Sequence, residues 1–163
     1  MRFNALALVT SAILLGGCGG GGDATSDTTT PTPGGAPAIP AAGDSVRMAP
    51  ITGTTHVVRM VGDGTSYRFD PPTISAKAGD GIRFISVSGP PHNVAFSPDS
   101  VADAVEPQLR ANMPESTGLE GKYLTQPNEE WVLSLGNIPA GRYPFQCTPH
   151  LTFNMRGVLT VTP

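Results

Sequence analysis

Charged residues and cysteines are both scarce in this sequence, and each shortage excludes a class of protein. Only 14% of the 163 residues are charged, the formal net charge is −3, and lysine and arginine form no cluster. Proteins that bind nucleic acids carry a basic patch or stripe, so we expect no nucleic-acid partner. No long segment repeats at the spacing of an amphipathic helix, which argues against a helical fold. Two cysteines permit one disulfide at most.

Glycine and proline are abundant instead, and they are concentrated towards the beginning of the chain. The sequence has 20 glycines and 17 prolines, many of them before residue 54. A chain of 163 residues, 39% of them apolar, provides one folded domain with appendages but not a second core. We predict three parts: a signal peptide at 1–17, a flexible segment at 18–50 and a folded domain at 51–163.

The N-terminus has the features of an export signal that ends at a cysteine. Arg2 precedes an apolar run from Ala5 to Leu15, which is too short to span a bilayer and is typical of a cleaved signal. The ending from Leu15 to Cys18 resembles the lipobox of bacterial lipoproteins, in which the new N-terminal cysteine carries lipid. The resemblance implies that Cys18 is a membrane anchor. An ordinary signal peptide with an incidental cysteine is the alternative.

The segment after Cys18 is rich in glycine, threonine, proline and alanine and has few bulky apolar side chains. Burial therefore cannot offset the entropy of ordering it, and we expect a linker that lets the domain move roughly 30 Å from its anchor. The protein is predicted to be exported and lipid-anchored on the periplasmic or extracellular face of a bacterial membrane. Gly19 after the cysteine favours the outer membrane, by resemblance to lipoprotein families.

From His56 onward, short apolar–polar alternations are separated by glycine, proline, aspartate and asparagine, as is typical of β-strands. Tyr67 and Phe69, for example, alternate with polar neighbours and lie on one face of a strand. About eight such segments predict an all-β fold, a sandwich of two sheets. The alternation stops at 97–130, where we predict an excursion of loop and short helix. The helix is predicted to run from Pro98 through Val105.

The sequence from Cys147 to Met155 places three candidate metal ligands on one loop. His150 follows Cys147 by three residues and Met155 follows it by eight. Thiolate and thioether sulfurs favour Cu(I) and imidazole suits copper in either oxidation state, whereas zinc does not select a thioether. Two histidines, a cysteine and a distant methionine form the ligand set of electron-transfer copper sites. His92, which follows Gly89-Pro90-Pro91 at the end of a predicted strand, supplies the second histidine.

Over residues 56–163 the chain resembles the plastocyanin and pseudoazurin proteins of the cupredoxin family. The resemblance is carried by Pro91-His92-Asn93-Val94 and, near the C-terminus, by Tyr143-x-Phe145-x-Cys147-x-Pro149-His150-x4-Met155. It implies a Greek-key β-sandwich that holds one copper ion in a type 1 blue site. The implied equatorial ligands are His92, Cys147 and His150, and the implied axial ligand is Met155. The resemblance also implies that Asn93 hydrogen-bonds across the site and joins the two ligand loops.

The sequence departs from the family at places that bear on electron transfer. Plant plastocyanins have a surface tyrosine before the ligand cysteine that marks a second electron route, and Gln146 stands there, so we do not expect that route. The acids at 97–130 are scattered, so no acidic docking patch is expected either. The loop after His150 lacks the family's glycines, and its Phe153 is predicted to lie over the site. His150 remains as the electron port, with an apolar rim formed by Pro90, Pro91, Pro149, Leu151 and Phe153.

Simpler roles exist for each of these residues. Cys18 and Cys147 could form a disulfide, or Cys147 could be an inert core thiol and His150 an incidental surface histidine. The coincidence of four ligand types in family order disfavours these alternatives. His56 stands alone at the start of the first predicted strand and is expected to be structural.

We predict a monomeric carrier that exchanges single electrons with a donor and an acceptor protein in transient contacts at the membrane surface. Four ligands leave no evident coordination position for a small-molecule substrate, which argues against an enzyme. One alternative is a non-redox lipoprotein that stores or delivers copper, although such proteins more often offer tracts rich in methionine or histidine. Another is a detached piece of a multicopper oxidase or copper nitrite reductase, which needs more histidines than the three present.

Overall fold

A computed structural model describes residues 46–163. The predicted signal peptide, Cys18 and nearly all of the predicted linker lie outside the described residues. Within residues 46–163, no helix is long and apolar enough to cross a membrane.

Eight strands form two sheets of four, so the predicted all-β sandwich is confirmed. One sheet has the order β2-β1-β4-β6 and the other β3-β8-β7-β5. Most neighbouring strands are antiparallel, but β1 pairs with β4 and β3 pairs with β8 in parallel. The strands are β1 Thr55–Gly62, β2 Tyr67–Asp70, β3 Thr73–Lys77, β4 Gly81–Ser86, β5 Ala95–Phe96, β6 Glu130–Ser134, β7 Gly141–Gln146 and β8 Arg156–Thr162.

The core lies between the sheets because alternate side chains of each strand point inward. In β8, for example, Gly157, Leu159 and Val161 are buried while the residues between them are not. At the centre, the ring of Phe145 meets the edge of Phe69 at a centroid distance of 4.8 Å and that of Phe84 at 5.7 Å. Edge-to-face packing of this kind stabilises a core beyond the area that it buries. Three of the four candidate metal ligands, Cys147, His150 and Met155, lie between the end of β7 and the start of β8, and His92 lies before β5.

The excursion at 97–130 is present, but the predicted helix over 98–105 is wrong. A single 3-10 turn spans Pro98–Ser100, and the α-helix, α1, spans Glu106–Ala111. The Ser97 side chain makes no capping hydrogen bond, so the helix-start signal there is not used. The helix begins instead at a position from which Leu109 can be buried in the core. Pro107 lies in its first turn, where proline is tolerated because the backbone amides of the first turn have no partner within the helix.

The segment before β1 is held against the excursion and β6. The amide of Ala49 donates to Asn112 Oδ1 at 2.9 Å, and the Ser134 hydroxyl donates to the carbonyl of Ala49 at 2.7 Å. Ala49 is itself buried. Ordered contacts of the sandwich therefore extend upstream of residue 51.

His56 lies in β1 and bonds to a nearly buried carboxylate. Its Nε2 is 2.8 Å from Asp80 Oδ2, and Asp80 also accepts hydrogen bonds from the amides of Thr54 and Lys77. The Lys77 amide, followed by the His56 side chain, holds the pKa of Asp80 below its ordinary value of 3.8. His56 is not among the three residues that the structure groups as a possible metal site.

Asp80 should make the sandwich sensitive to acid. Because its pKa is lower in the folded than in the unfolded chain, its stabilisation is complete above pH 3.8 and is lost as the pH falls through the depressed folded pKa. Asp80→Asn should lower the free energy of unfolding near neutral pH by about 1–3 kcal/mol, because the asparagine NH2 group then faces one of the two backbone amides, of Thr54 or Lys77, that donate to the carboxylate. Denaturant titrations at pH 7 and pH 3 measure both effects. Asp103→Asn, at an exposed carboxyl, is the control, and equal stability of the two variants would contradict this role.

Candidate metal centre

The loop between β7 and β8 is closed by its own backbone hydrogen bonds. The Cys147 amide donates to the Met155 carbonyl at 3.0 Å, and the His150 amide donates to the Cys147 carbonyl at 3.1 Å. Between them the chain forms two 3-10 turns within Thr148–Phe153, separated by a kink at His150, whose φ of −115° and ψ of 25° are not helical. The reversal into β8 is made by Asn154 at φ 57°, a left-handed conformation that asparagine tolerates better than most residues. Asn154 thus makes this turn without a glycine.

His92 lies on a second loop and is held at three points. Its amide and carbonyl form a bridge with Leu124, with N–O distances of 3.0 and 2.7 Å. Its Nε2 lies 2.8 Å from the carbonyl oxygen of Ser88. Since that carbonyl can only accept, Nε2 carries the proton and Nδ1 presents a lone pair. Nδ1 is the atom that faces the Cys147 sulfur.

The structure brings His92, Cys147 and His150 together, with all their ligand atoms within 4.8 Å of one another. The Cys147 sulfur is 3.7 Å from His92 Nδ1 and 3.3 Å from His150 Nδ1. Met155, at the other end of the loop, is completely buried in the same core cluster as Cys147. The backbone hydrogen bond between Cys147 and Met155 brings a thioether-bearing residue to this loop. A thiol, two imidazoles and a thioether are soft and borderline donors, and this donor set fits copper.

Burial controls the protonation of the three grouped side chains. It raises the pKa of the Cys147 thiol and lowers the pKa values of His92 and His150. Both imidazoles are therefore favoured in the neutral form, which is the form that binds metal. A cation at the sulfur would offset the cost of ionising the thiol in this dry pocket.

The Asn93 side chain lies between the two ligand loops. Its Oδ1 accepts a hydrogen bond from the Thr148 amide at 2.8 Å, and its Nδ2 lies 3.2 Å from the Thr148 hydroxyl. Asn93 follows His92 and Thr148 follows Cys147, so the amide joins the residues next to two candidate ligands. The family resemblance implies this position for the Asn93 side chain.

The rim around His150 includes an aromatic residue that sequence reasoning missed. Tyr67 of β2 stacks on the His150 ring with a centroid distance of 3.7 Å and an interplanar angle of 13°. Phe153 lies 4.7 Å from Tyr67, centroid to centroid, and is 45% exposed. His150 itself is only 6% exposed. The other predicted rim residues range from partly buried to exposed: Pro90, Pro91, Pro149 and Leu151.

A glycine makes room for Tyr67 over the site. Gly62 pairs with Tyr67 across β1 and β2, and a Cβ atom at Gly62 would lie 2.4 Å from the tyrosine ring. Any other residue there would push the ring away from His150. The sequence places both residues in strands but contains no local pattern that connects Tyr67 with a loop near the C-terminus. Only the fold reveals the contact.

Comparison with known proteins agrees with this geometry. Residues 55–162 match the family model described as copper binding proteins of the plastocyanin/azurin family. The chain is 36% identical over 105 residues to a chloroplastic plastocyanin of Physcomitrium patens, matching 64% of this chain but only 56% of that protein. It is 31% identical over 107 residues to a plastocyanin of Nostoc punctiforme, covering 66% of this chain and 73% of the relative.

A solved structure gives the same result for the fold. The oxidised form of plastocyanin from Dryopteris crassirhizoma is 31% identical to this chain and superposes with a TM-score of 0.51, covering 65% of this chain and 99% of that one. The resemblance to the cupredoxin family, the cupredoxin fold and copper as the cofactor are thereby confirmed. The chain belongs to the plastocyanin/azurin family of copper binding proteins.

Proposed function

We propose that this protein carries single electrons on one copper ion held by His92, Cys147, His150 and Met155. The observation that carries the proposal is the convergence of two imidazole Nδ1 atoms on one buried thiol sulfur. Copper bound by such a set would supply a one-electron couple whose two states accept nearly the same ligand geometry. The chain supplies ligands that are already in place, so little has to move when the charge changes.

The burial of the ligand set favours electron transfer over storage or delivery of copper. His92, Cys147 and Met155 have no exposed surface, and His150 has very little. A protein that passes copper to another protein needs donor atoms that the recipient can reach. A carrier of electrons needs only a short distance from the metal to the surface. The proposed set also leaves no coordination position for a substrate, so the proposal includes no catalysed reaction.

Electrons are proposed to enter and leave through His150 and the aromatic rings next to it. Tyr67 covers one face of the imidazole and contacts the exposed Phe153, so the port is an apolar, aromatic surface. Such a surface suits brief contact between a monomer and its redox partners, because small apolar contacts form and separate quickly. The donor and acceptor are therefore proposed to be redox proteins that present a matching apolar patch.

The membrane location is a further part of the proposal. The sequence supports a signal peptide at 1–17, a lipid on Cys18, a flexible linker at 18–50 and a copper domain at 51–163 on the outer side of a bacterial membrane. The linker would let the domain reach partners without leaving the surface.

Replacing the candidate thiolate ligand tests the copper site. Cys147→Ser should abolish the intense blue absorption of the copper-loaded protein, because a serine hydroxyl cannot supply the sulfur-to-copper transition. Absorption and electron paramagnetic resonance spectra measure the change. Cys18→Ser, which alters the other cysteine, should keep the blue band. A blue band in the Cys147 variant, or a colourless wild-type protein, would disprove the proposed site.

Removing the stacked ring tests the port. In Tyr67→Leu, the His150 ring protons of the copper-free protein should shift downfield because the ring current of the tyrosine is lost. The free energy of unfolding should fall by about 1 kcal/mol, the range of an aromatic pair. Electron self-exchange should slow, because His150 then contacts a partner through a smaller surface. Tyr67→Phe should preserve all three properties, and a Leu variant identical to the wild type would contradict the role of the ring.

The same pair of cysteine variants tests the anchor. In a bacterial host, the wild type and Cys147→Ser should both incorporate a labelled fatty acid, because each retains Cys18. Cys18→Ser should incorporate none, since the thiol that carries the lipid is missing. Labelling of the Cys18 variant, or its absence from the wild type, would refute the proposed lipidation.

A further inference from the structure

Part of the excursion runs beside the His92 loop and is hydrogen-bonded to it. The segment 117–124 forms backbone hydrogen bonds along the length of His92–Phe96, and its contact with His92 fixes both the amide and the carbonyl of that residue. The bonds, donor first, are Leu124 to His92, His92 to Leu124, Gly121 to Val94 and Phe96 to Leu119. The excursion is thus built into the surroundings of the candidate metal site.

One carboxylate of this segment bonds to the side chain that joins the ligand loops. Glu120 Oε1 accepts a hydrogen bond from Asn93 Nδ2 at 2.7 Å and another from the Tyr123 hydroxyl at 2.6 Å. Asn93 is 1% exposed, so leaving its Nδ2–H group without an acceptor is costly. Hydrogen bonds to an ionised oxygen are shorter and stronger than neutral ones. The bond to Glu120 is therefore a strong restraint on Asn93.

No cation compensates the Glu120 carboxylate at short range. Within residues 46–163, the ion pairs are His56–Asp80, Arg83–Glu130, Arg110–Glu106 and Lys122–Glu115, and none includes Glu120. Its two donors are the neutral Asn93 amide and the Tyr123 phenol. The carboxylate also raises the pKa of Tyr123, mainly through their hydrogen bond, which keeps the phenol in its donating form. The negative charge beside Asn93 is thus not cancelled.

We propose that Glu120 is a positioning residue of the copper site that also sets its reduction potential. This inference rests on the copper function proposed above. Through Asn93, Glu120 holds the two ligand loops in register, and its charge acts on the metal from the far side of the buried Asn93 side chain.

The orientation of the Asn93 amide explains how Glu120 holds the two ligand loops in register. The Thr148 amide requires an acceptor, so Oδ1 faces it, and Nδ2 is left to find an acceptor on the other side. Glu120 supplies that acceptor. Without it, a buried N–H group loses its strongest partner, and the amide can turn away from Thr148. The bond that restrains the residue after Cys147 would then weaken.

The direction in which the Glu120 charge changes the reduction potential follows from electrostatics. Oxidation adds one positive charge at the metal, and a nearby negative charge stabilises the oxidised state and lowers the reduction potential. Neutralising Glu120 should therefore raise the potential. The two effects can be separated, because glutamine retains an acceptor oxygen but has no charge, whereas alanine retains neither.

Amide hydrogen exchange in the copper-free protein tests the positioning. In Glu120→Ala, the Thr148 amide should exchange about tenfold faster than in the wild type, the effect of losing about one hydrogen bond. In Glu120→Gln its exchange should stay near the wild-type rate. This measurement needs no copper, so it stays informative even if the wild type forms no blue centre and the proposed function fails. Unchanged exchange in Glu120→Ala would overturn the positioning role.

Voltammetry of the copper-loaded protein tests the charge. Glu120→Gln should shift the reduction potential to a more positive value while the blue band keeps its wavelength. The matched control is Glu115→Gln, which removes the same charge from a carboxylate that is 68% exposed and paired with Lys122 in the same part of the chain. Its shift should be smaller. An equal shift in both variants, or none in Glu120→Gln, would overturn the assignment of Glu120.

Discussion

The hydrogen bond from the Cys147 amide to the Met155 carbonyl is the constraint on which the metal site depends. It continues the β7–β8 ladder one step beyond the last pair, Gln146 and Arg156. The sheet therefore brings the two sulfur-bearing residues to the same level without help from a metal. The two 3-10 turns between them, with the kink at His150, bring His150 Nδ1 to 3.3 Å from the Cys147 sulfur, so that three candidate ligands follow from one strand pairing.

The second loop has to be held by other means, because it belongs to no such ladder. β5 is only two residues long, and His92 lies before it. Its position depends on the bridge to Leu124 and on the bond between Nε2 and the Ser88 carbonyl. That carbonyl also decides which ring nitrogen is free, as second partners of metal-binding histidines commonly do. The hydrogen bonds that hold His92 are formed by the protein alone, so the folding energy of the sandwich contributes to maintaining its position.

Strand alternation and ligand order were sufficient to predict the sandwich and the family, because both depend on short sequence spacings. The helix was placed wrongly for a physical reason. Ser97-Pro98 has the composition of a helix start, but the choice between it and Glu106 depends on whether Leu109 can reach the core. Tyr67 and Glu120 could not be predicted either. Tyr67, in β2, contacts His150 on the β7–β8 loop, and Glu120, in the excursion, contacts Asn93. Neither contact joins residues that are close in sequence, so no spacing in the sequence predicts it.

Tyr67 and Glu120 act on the candidate metal site in different ways. Tyr67 touches His150 directly and determines what a partner meets at the surface. Glu120 touches no candidate ligand and reaches Cys147 only through Asn93 and Thr148. Because the two share no hydrogen-bond or stacking partner, access to the copper and its potential can change independently in this fold. The excursion, which interrupts the strand pattern, would thus be a part of the chain that adjusts the metal without altering the proposed electron port.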